Sequence, residues 1–180
     1  MLDHENAKKR DKRSSLDRVA DHARRVSQMC DLLESMADDL PHRPVPVWRE
    51  ATRLCNQIIP GHYHEVLNVL VPVLQRRTKG DLDCENLLRR VRADFDEEAC
   101  RLSELNELLV EAIDPDGNAR SGTIGPETLG YALRCFFTAL RRNGSWEMDV
   151  LLPLASRRLN ADDLDEMAHM LPQAAPNRVN

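Results

Sequence analysis

The sequence has few of the residues that β-sheet proteins depend on. Its 180 residues contain only 7 glycines, 2 tryptophans, 2 tyrosines and 3 phenylalanines, and the β-branched residues are not clustered. This composition argues against a β-sandwich or a β-barrel. No apolar run approaches the ~20 residues that a membrane helix needs, and the charged start of the chain has no apolar signal core. We therefore expect a cytoplasmic protein that does not bind membranes.

Paired cysteines, excess positive charge and the common catalytic motifs are also missing. The five cysteines are odd in number and contain no CxxC motif, which favours reduced thiols over a disulfide framework. The net charge of −5 disfavours a general nucleic-acid-binding surface. The sequence has no phosphate-binding glycine loop, no GxSxG and no HExxH motif. We therefore expect neither a nucleic-acid-binding protein nor an enzyme.

Helical patterns and helix breakers organise the chain between two polar tails, predicted over residues 1–14 and 172–180. Prolines over 41–46, a turn over 78–81 and a polar loop over 114–125 separate the helices. The predicted helices cover residues 15–40, 47–76, 82–113, 127–158 and, more briefly, 161–171. This order predicts one all-α domain over 15–171, an up-down-up-down four-helix bundle with a short extra C-terminal helix. A coiled-coil oligomer is the alternative architecture.

Two local signals refine this assignment. Asn160 is the predicted N-cap of the short last helix, because its side chain can accept a hydrogen bond from a free backbone amide. Pro60 and Gly61 fall inside the second predicted helix. A proline lacks the amide donor, so this dipeptide predicts a kink or a local break there.

Each long helix has an apolar stripe at the spacing of a bundle core, and each stripe is interrupted at one polar place. The interruptions are His22, His62, Glu98 and the pair Asn143 and Glu147. Burying an unpaired ionisable group is costly, so we expect these residues to share one layer. There they either hydrogen-bond to one another or bind a metal ion between the helices. Imidazole and carboxylate together suit Fe, Mn or Zn.

Four stretches of the chain resemble the bacterial hemerythrin-like (HHE cation-binding) family. They are DHARRVSQMCDLLESMADDLP, PGHYHEVLNVLVPVL, LLRRVRADFDEEACRLSEL and WEMDVLLPLASRRLNADDLDEM. The resemblance covers roughly residues 16–170, and Pro72 and Pro153 stand where the family has prolines. It implies a four-helix bundle built around a non-haem di-iron centre. Members of the family bind or sense oxygen, nitric oxide or iron, and some act in iron or redox signalling.

The resemblance carries over only half of the family's ligands. The kept positions are His22, His62 and Glu147. Val66, Phe95 and Asn143 stand where the family has Glu, His and His. The carboxylate lost at Val66 is the hardest to replace, because in the family it bridges the two iron ions. A normal di-iron centre is therefore not expected, and the metal site is predicted to be degenerate.

Loss of ligands within an intact framework leads to two expectations for function. The first is a non-enzymatic regulatory or interaction protein without a cofactor, whose partner is another protein or a second copy of the chain. The alternative is a sensor or carrier of oxygen, nitric oxide, iron or redox state that holds a single Fe, Mn or Zn ion. Its candidate ligands are His22, His62, Glu98 and Glu147, with Asn143 as a weak oxygen donor. An oxidoreductase is the third possibility.

Four cysteines are candidate redox residues. At ~1.5 Å per helical residue, their positions in the sequence predict that they lie near one level of the bundle. These four are Cys30, Cys55, Cys100 and Cys135. The simpler interpretation is that they are small apolar core residues. Cys84, close to a predicted helix start, is expected to be the more exposed and reactive thiol.

Overall fold

The computed structural model describes residues 14–40, 42, 44–112 and 125–171. All regular secondary structure in these ranges is helical, which confirms the all-α prediction. No helix in these ranges is long and apolar enough to cross a membrane. The predicted tails and most of the polar loop over 114–125 lie outside the described residues.

Seven α-helices and two π-helical segments follow one another along the described chain. The α-helices are α1 (Ser14–Asp38), α2 (Val45–His64), α3 (Val71–Arg77), α4 (Leu82–Ala112), α5 (Pro126–Trp146), α6 (Leu152–Arg158) and α7 (Ala161–Met170). The π-helical segments are π1 (Glu65–Leu70) and π2 (Glu147–Leu151). Because π1 joins α2 to α3 and π2 joins α5 to α6 without interruption, the described residues form four long helical segments and one short helix, close to the predicted bounds.

The helix ends follow local sequence chemistry. Pro126 is the first residue of α5 and follows an extended Gly125, a place where the missing amide of proline has no helical partner to lose. At the start of α7 the Asn160 side chain accepts from the Asp163 amide and the Asp163 side chain accepts from the Asn160 amide. This capping box confirms the predicted cap. Gly80, between α3 and α4, has a φ of +88°, which glycine adopts without strain.

Of the predicted kink or local break at Pro60 and Gly61, the break is wrong, because α2 runs through both residues. Gly61 instead allows a close approach between helices. A β-carbon placed on Gly61 would lie 3.2 Å from Cε1 of His22 on α1. The small residue therefore lets α1 and α2 pack closely at the level of His22.

Contacts between the helices leave two apolar clusters in the interior. Helix α1 packs against α2 and α5, α4 packs against α2, α3 and α5, and α7 packs against α1 and π1. One cluster includes Cys30, Ile59 and Phe136. The other includes Val69 and Leu151 from the two π-helical segments. Along each of the four long segments, the residues of one cluster are followed by those of the other.

Candidate functional site

A layer of polar side chains lies between the two apolar clusters. Its members, called the polar layer below, are His22, His62, Glu65, Glu98, Asn143 and Glu147. Every long helical segment contributes at least one of them, from a position between the residues of the first cluster and those of the second. The structure thus brings together all five polar residues that the sequence marked as interruptions, and it adds Glu65.

Two histidine–carboxylate pairs link neighbouring helices within the polar layer. Nδ1 of His22 lies 3.0 Å from Oε2 of Glu65, and Nε2 of His62 lies 2.9 Å from Oε2 of Glu147. The His62 pair is almost completely buried, and the His22 side chain retains 18% of its accessible surface. The two imidazole rings meet edge to face with centroids 5.7 Å apart. The pairs are therefore adjacent.

Glu98 forms the third pair of the layer, with Asn143, whose side-chain amide donates a hydrogen bond to its carboxylate. Burial raises the pKa of Glu98 to about 7, and the negative charge of Glu147 adds to the rise. The Asn143 bond and the nearby Tyr63 hydroxyl act in the opposite direction, although that hydroxyl has no partner at hydrogen-bonding geometry. Glu98 therefore changes its protonation state near neutral pH.

Two prolines account for the π-helical segments beside the layer. Pro72 and Pro153 are each the second residue of the α-helix that follows a π-helical segment. Proline lacks an amide and its ring clashes with the carbonyl four residues earlier. The residue before each proline instead donates to the carbonyl five residues back, Val71 to Val66 and Leu152 to Glu147. The wider turn accommodates the proline without ending the helix.

The wider turn also changes which residues face the core. Continued beyond Glu147 at regular α-helical spacing, the apolar stripe of the fourth predicted helix runs through Val150 and Leu154. Both are only half-buried, whereas Leu151 and Ala155 are fully buried. This part of the stripe prediction is wrong because a regular α-helical period was carried through π2. A π-helical turn contains more residues than an α-helical turn, so the buried positions shift.

Glu65 is the site residue that sequence reasoning missed. The family pattern placed the second-helix carboxylate at position 66, where the chain has a fully buried valine. Glu65 is also buried, with 7% of its surface exposed, and it meets His22. One signal was present in the sequence, since residues 62 and 65 are three apart and share a helix face. The second long segment therefore still carries a buried carboxylate, one residue before the position that the family pattern predicts.

Aromatic and unpartnered polar atoms complete the surroundings of the layer. Phe95 packs on His62 with ring centroids 5.9 Å apart and edge to face on Tyr63 at 5.0 Å. His62 Nδ1, Tyr63 Oη, Glu65 Oε2 and Glu147 Oε2 are buried and make no hydrogen bond, although the two carboxylate oxygens lie within ion-pair distance of a histidine. Buried polar atoms normally have partners, so this layer retains unused capacity to bind a proton donor or a cation.

A cleft of about 350 Å³ connects the polar layer with the surface. It runs between α1 and the α5–π2 segment, and it reaches His62, Glu98, Asn143 and Glu147. Gly144 lines it, and a β-carbon built on this glycine meets nothing within 4 Å. A space of this size holds several water molecules, so small solutes can approach the layer from this side.

No three histidine, cysteine, aspartate or glutamate side chains in the described ranges surround one point closely enough to hold a metal ion as they stand. Each histidine faces a carboxylate of a neighbouring helix, and Glu98 faces Asn143. The side chains are adjacent, but they are arranged as pairs. Their donor chemistry, imidazole with carboxylate, is that of Fe, Mn and Zn sites.

The cysteines do not form a common buried level. Cys30 and Cys55 are buried, and burial raises the pKa of each thiol to about 12. Cys100 and Cys135 are exposed, so they do not pack in the core. The expectation for Cys84 is also wrong, because this thiol is 7% exposed and burial raises its pKa. Offsets along a helix predict a level on its axis, but they do not predict the direction in which each side chain points.

Comparisons of the chain with protein-family models, with curated proteins and with solved structures find no match. The resemblance to the hemerythrin-like family therefore depends on the sequence stretches quoted above.

Proposed function

We propose that the chain is a hemerythrin-like four-helix bundle whose polar layer binds a divalent metal ion, and that it acts as a sensor or carrier and not as an enzyme. The observation that carries the proposal is the buried position of Glu65 beside His22. This residue supplies a second-helix carboxylate next to the position where the family pattern has one. It makes the donor set larger than the sequence indicated.

The residues available to hold the ion are two imidazoles and three carboxylates. They are His22, His62, Glu65, Glu98 and Glu147. Nδ1 of His62 has no hydrogen-bond partner, and the Glu65 and Glu147 carboxylates, each facing one histidine, have further lone pairs available to a metal ion. This set suits Fe, Mn or Zn, and such an ion would supply the capacity to bind a small ligand. Metal binding requires deprotonated ligands, so the ion competes with protons for these side chains.

The test is the metal content of the protein purified without an affinity tag or a chelator, measured by mass spectrometry and repeated after anaerobic addition of Fe(II), Mn(II) or Zn(II). We expect near-stoichiometric metal in the wild type and its loss in His62→Ala and Glu65→Gln. His64→Ala is the matched control, because His64 is exposed and bonds only to Asn68. A metal-free wild type that takes up none of the three ions contradicts the proposal.

The second candidate function is a metal-free regulatory or interaction protein, which binds another protein or a second copy of itself. The pairing within the polar layer favours it, because each histidine already has a carboxylate and Glu98 already has Asn143. Such a layer compensates much of its own burial cost. In that case His62→Ala lowers stability without any dependence on added metal, and a partner is sought by cross-linking the full chain in its native cell.

A further inference from the structure

A basic groove of about 660 Å³ lies between α3 and α4, and none of its lining residues belongs to the polar layer. Four cationic side chains line it: Arg76, Lys79, Arg89 and Arg92. Arg89 and Arg92 are three residues apart on α4 and share one of its faces, whereas Arg76 at the end of α3 and Lys79 in the following turn line the groove from its other side. The two pairs therefore face the same concave surface from opposite walls.

Three of these cations have no carboxylate partner in the described part of the chain. Arg89 donates to the Asn86 side chain at 3.0 Å, and Arg92 donates to the Gln75 side chain at 3.3 Å. Both acceptors are neutral amides. Lys79 has no carboxylate within ion-pair distance among the described residues. The positive charges are thus only partly compensated within the protein.

Two carboxylates lie near the groove, and both are already engaged. Arg76 pairs with Glu166 of α7. Glu85 lines the groove and accepts a hydrogen bond from the Gly80 amide at 3.0 Å. Four cations against two carboxylates leave the groove positive, although the whole chain has a net charge of −5. A local positive concavity on an acidic protein attracts anions.

We propose that this groove binds a compact anion with two or three linked phosphate groups. Guanidinium groups suit phosphate because their donors match its oxygens in pairs. The volume lies within the range of small-molecule sites. None of the described residues that line the groove is aromatic, so recognition is directed to the phosphate groups and not to a stacked base. An acidic segment of another protein fits less well, because the cations surround a concavity and do not extend along a face.

Isothermal titration of the full chain with inorganic pyrophosphate and tripolyphosphate, at low ionic strength, tests the proposal. We expect saturable binding at or below millimolar concentration and a loss of about tenfold in affinity in Arg89→Gln, the value of one charge-assisted contact. Arg90→Gln is the matched control. Arg90 is the next residue along the same helix and is exposed like Arg89, but it pairs with Asp94 and does not line the groove. We expect it to change affinity by less than about twofold.

Three results would overturn the proposal. The first is no binding of either polyphosphate by the wild type. The second is an equal loss in the Arg90→Gln and Arg89→Gln variants, which would indicate diffuse attraction by surface charge. The third is tighter, Arg89-dependent binding of a polyglutamate peptide, which would make the groove a docking surface for an acidic protein segment. Circular dichroism of each variant establishes that it is folded, and because no metal ligand is changed, the outcome is independent of the proposed metal site.

Discussion

His22 and Glu65 face each other between α1 and π1, with Nδ1 of the histidine 3.0 Å from Oε2 of the carboxylate. The carboxylate is buried beside a fully buried Val66. This pair joins the first helix to the π-helical segment at the level of the polar layer. Glu65 is thus a buried carboxylate one residue before Val66, the position at which the resemblance to the family predicts one.

Replacing Glu65 should destabilise the metal-free protein. Glu65→Gln leaves His22 without its carboxylate partner, and the loss of one charge-assisted contact costs about 1–3 kcal/mol. Urea unfolding after dialysis against a chelator measures the change. The control is Glu50→Gln, since Glu50 forms an exposed pair with Arg53 one turn along α2. Exposed pairs of this kind contribute little to the free energy of unfolding. Equal decreases in that free energy for the two variants would therefore show that the buried contact with His22 stabilises the protein no more than an exposed pair does.

The two glycines near the polar layer should respond differently to alanine. A β-carbon at Gly144 meets open space, so Gly144→Ala should stabilise α5 by about 0.5–1 kcal/mol through helix propensity. A β-carbon at Gly61 lies 3.2 Å from the His22 ring, which Glu65 holds in place. We expect Gly61→Ala to lose most or all of that gain. Thermal unfolding compares them, and an equal increase in melting temperature would mean that the His22 ring moves freely.

Stability of the metal-free protein should depend on the protonation of Glu98. Its pKa rises from 4.5 to about 7 on folding, so the folded state favours the protonated carboxyl. The stability from this group is complete below the unfolded pKa and is lost as the pH rises through the folded pKa. Glu98→Gln mimics the protonated side chain and keeps an acceptor for Asn143. We expect the variant to be more stable than the wild type at about pH 8, with the difference disappearing at about pH 4.

Urea titrations of chelator-treated protein at several pH values check this expectation. A wild-type protein that is more stable at alkaline than at mildly acidic pH, relative to Glu98→Gln, would mean that the carboxylate is ionised and paired in the folded state.

The five thiols should divide by exposure. Cys100 and Cys135 are exposed and should react quickly with iodoacetamide in the native protein. Cys30 and Cys55 are buried with a pKa of about 12, so the reactive thiolate is scarce and inaccessible. Mass spectrometry should find two fast sites, and all five sites only after unfolding. Rapid labelling of Cys30 would contradict the packed arrangement of α1 against its neighbours.

Much of the helical architecture follows from the sequence alone. Apolar spacing, proline and glycine positions and the Asn160 cap act within a few residues of one another. A reader of the sequence can therefore place the four long segments, the short last helix and the polar interruptions. The same local rules predicted a kink or a local break at Pro60 and Gly61, whereas α2 continues through both residues and Gly61 lies against the His22 ring of α1.

The tertiary structure decided which polar side chains meet. Pro72 and Pro153 widen the helices into π1 and π2, and this moves Leu151 rather than Val150 into the core. Glu65 enters the polar layer beside Val66, and the cysteines separate into buried and exposed thiols. These outcomes depend on the rotation of each helix about its axis, which is set by packing against neighbours far away in the sequence. Periodicity determines that a buried stripe exists, whereas helix-to-helix contact determines which residue of that stripe faces which partner.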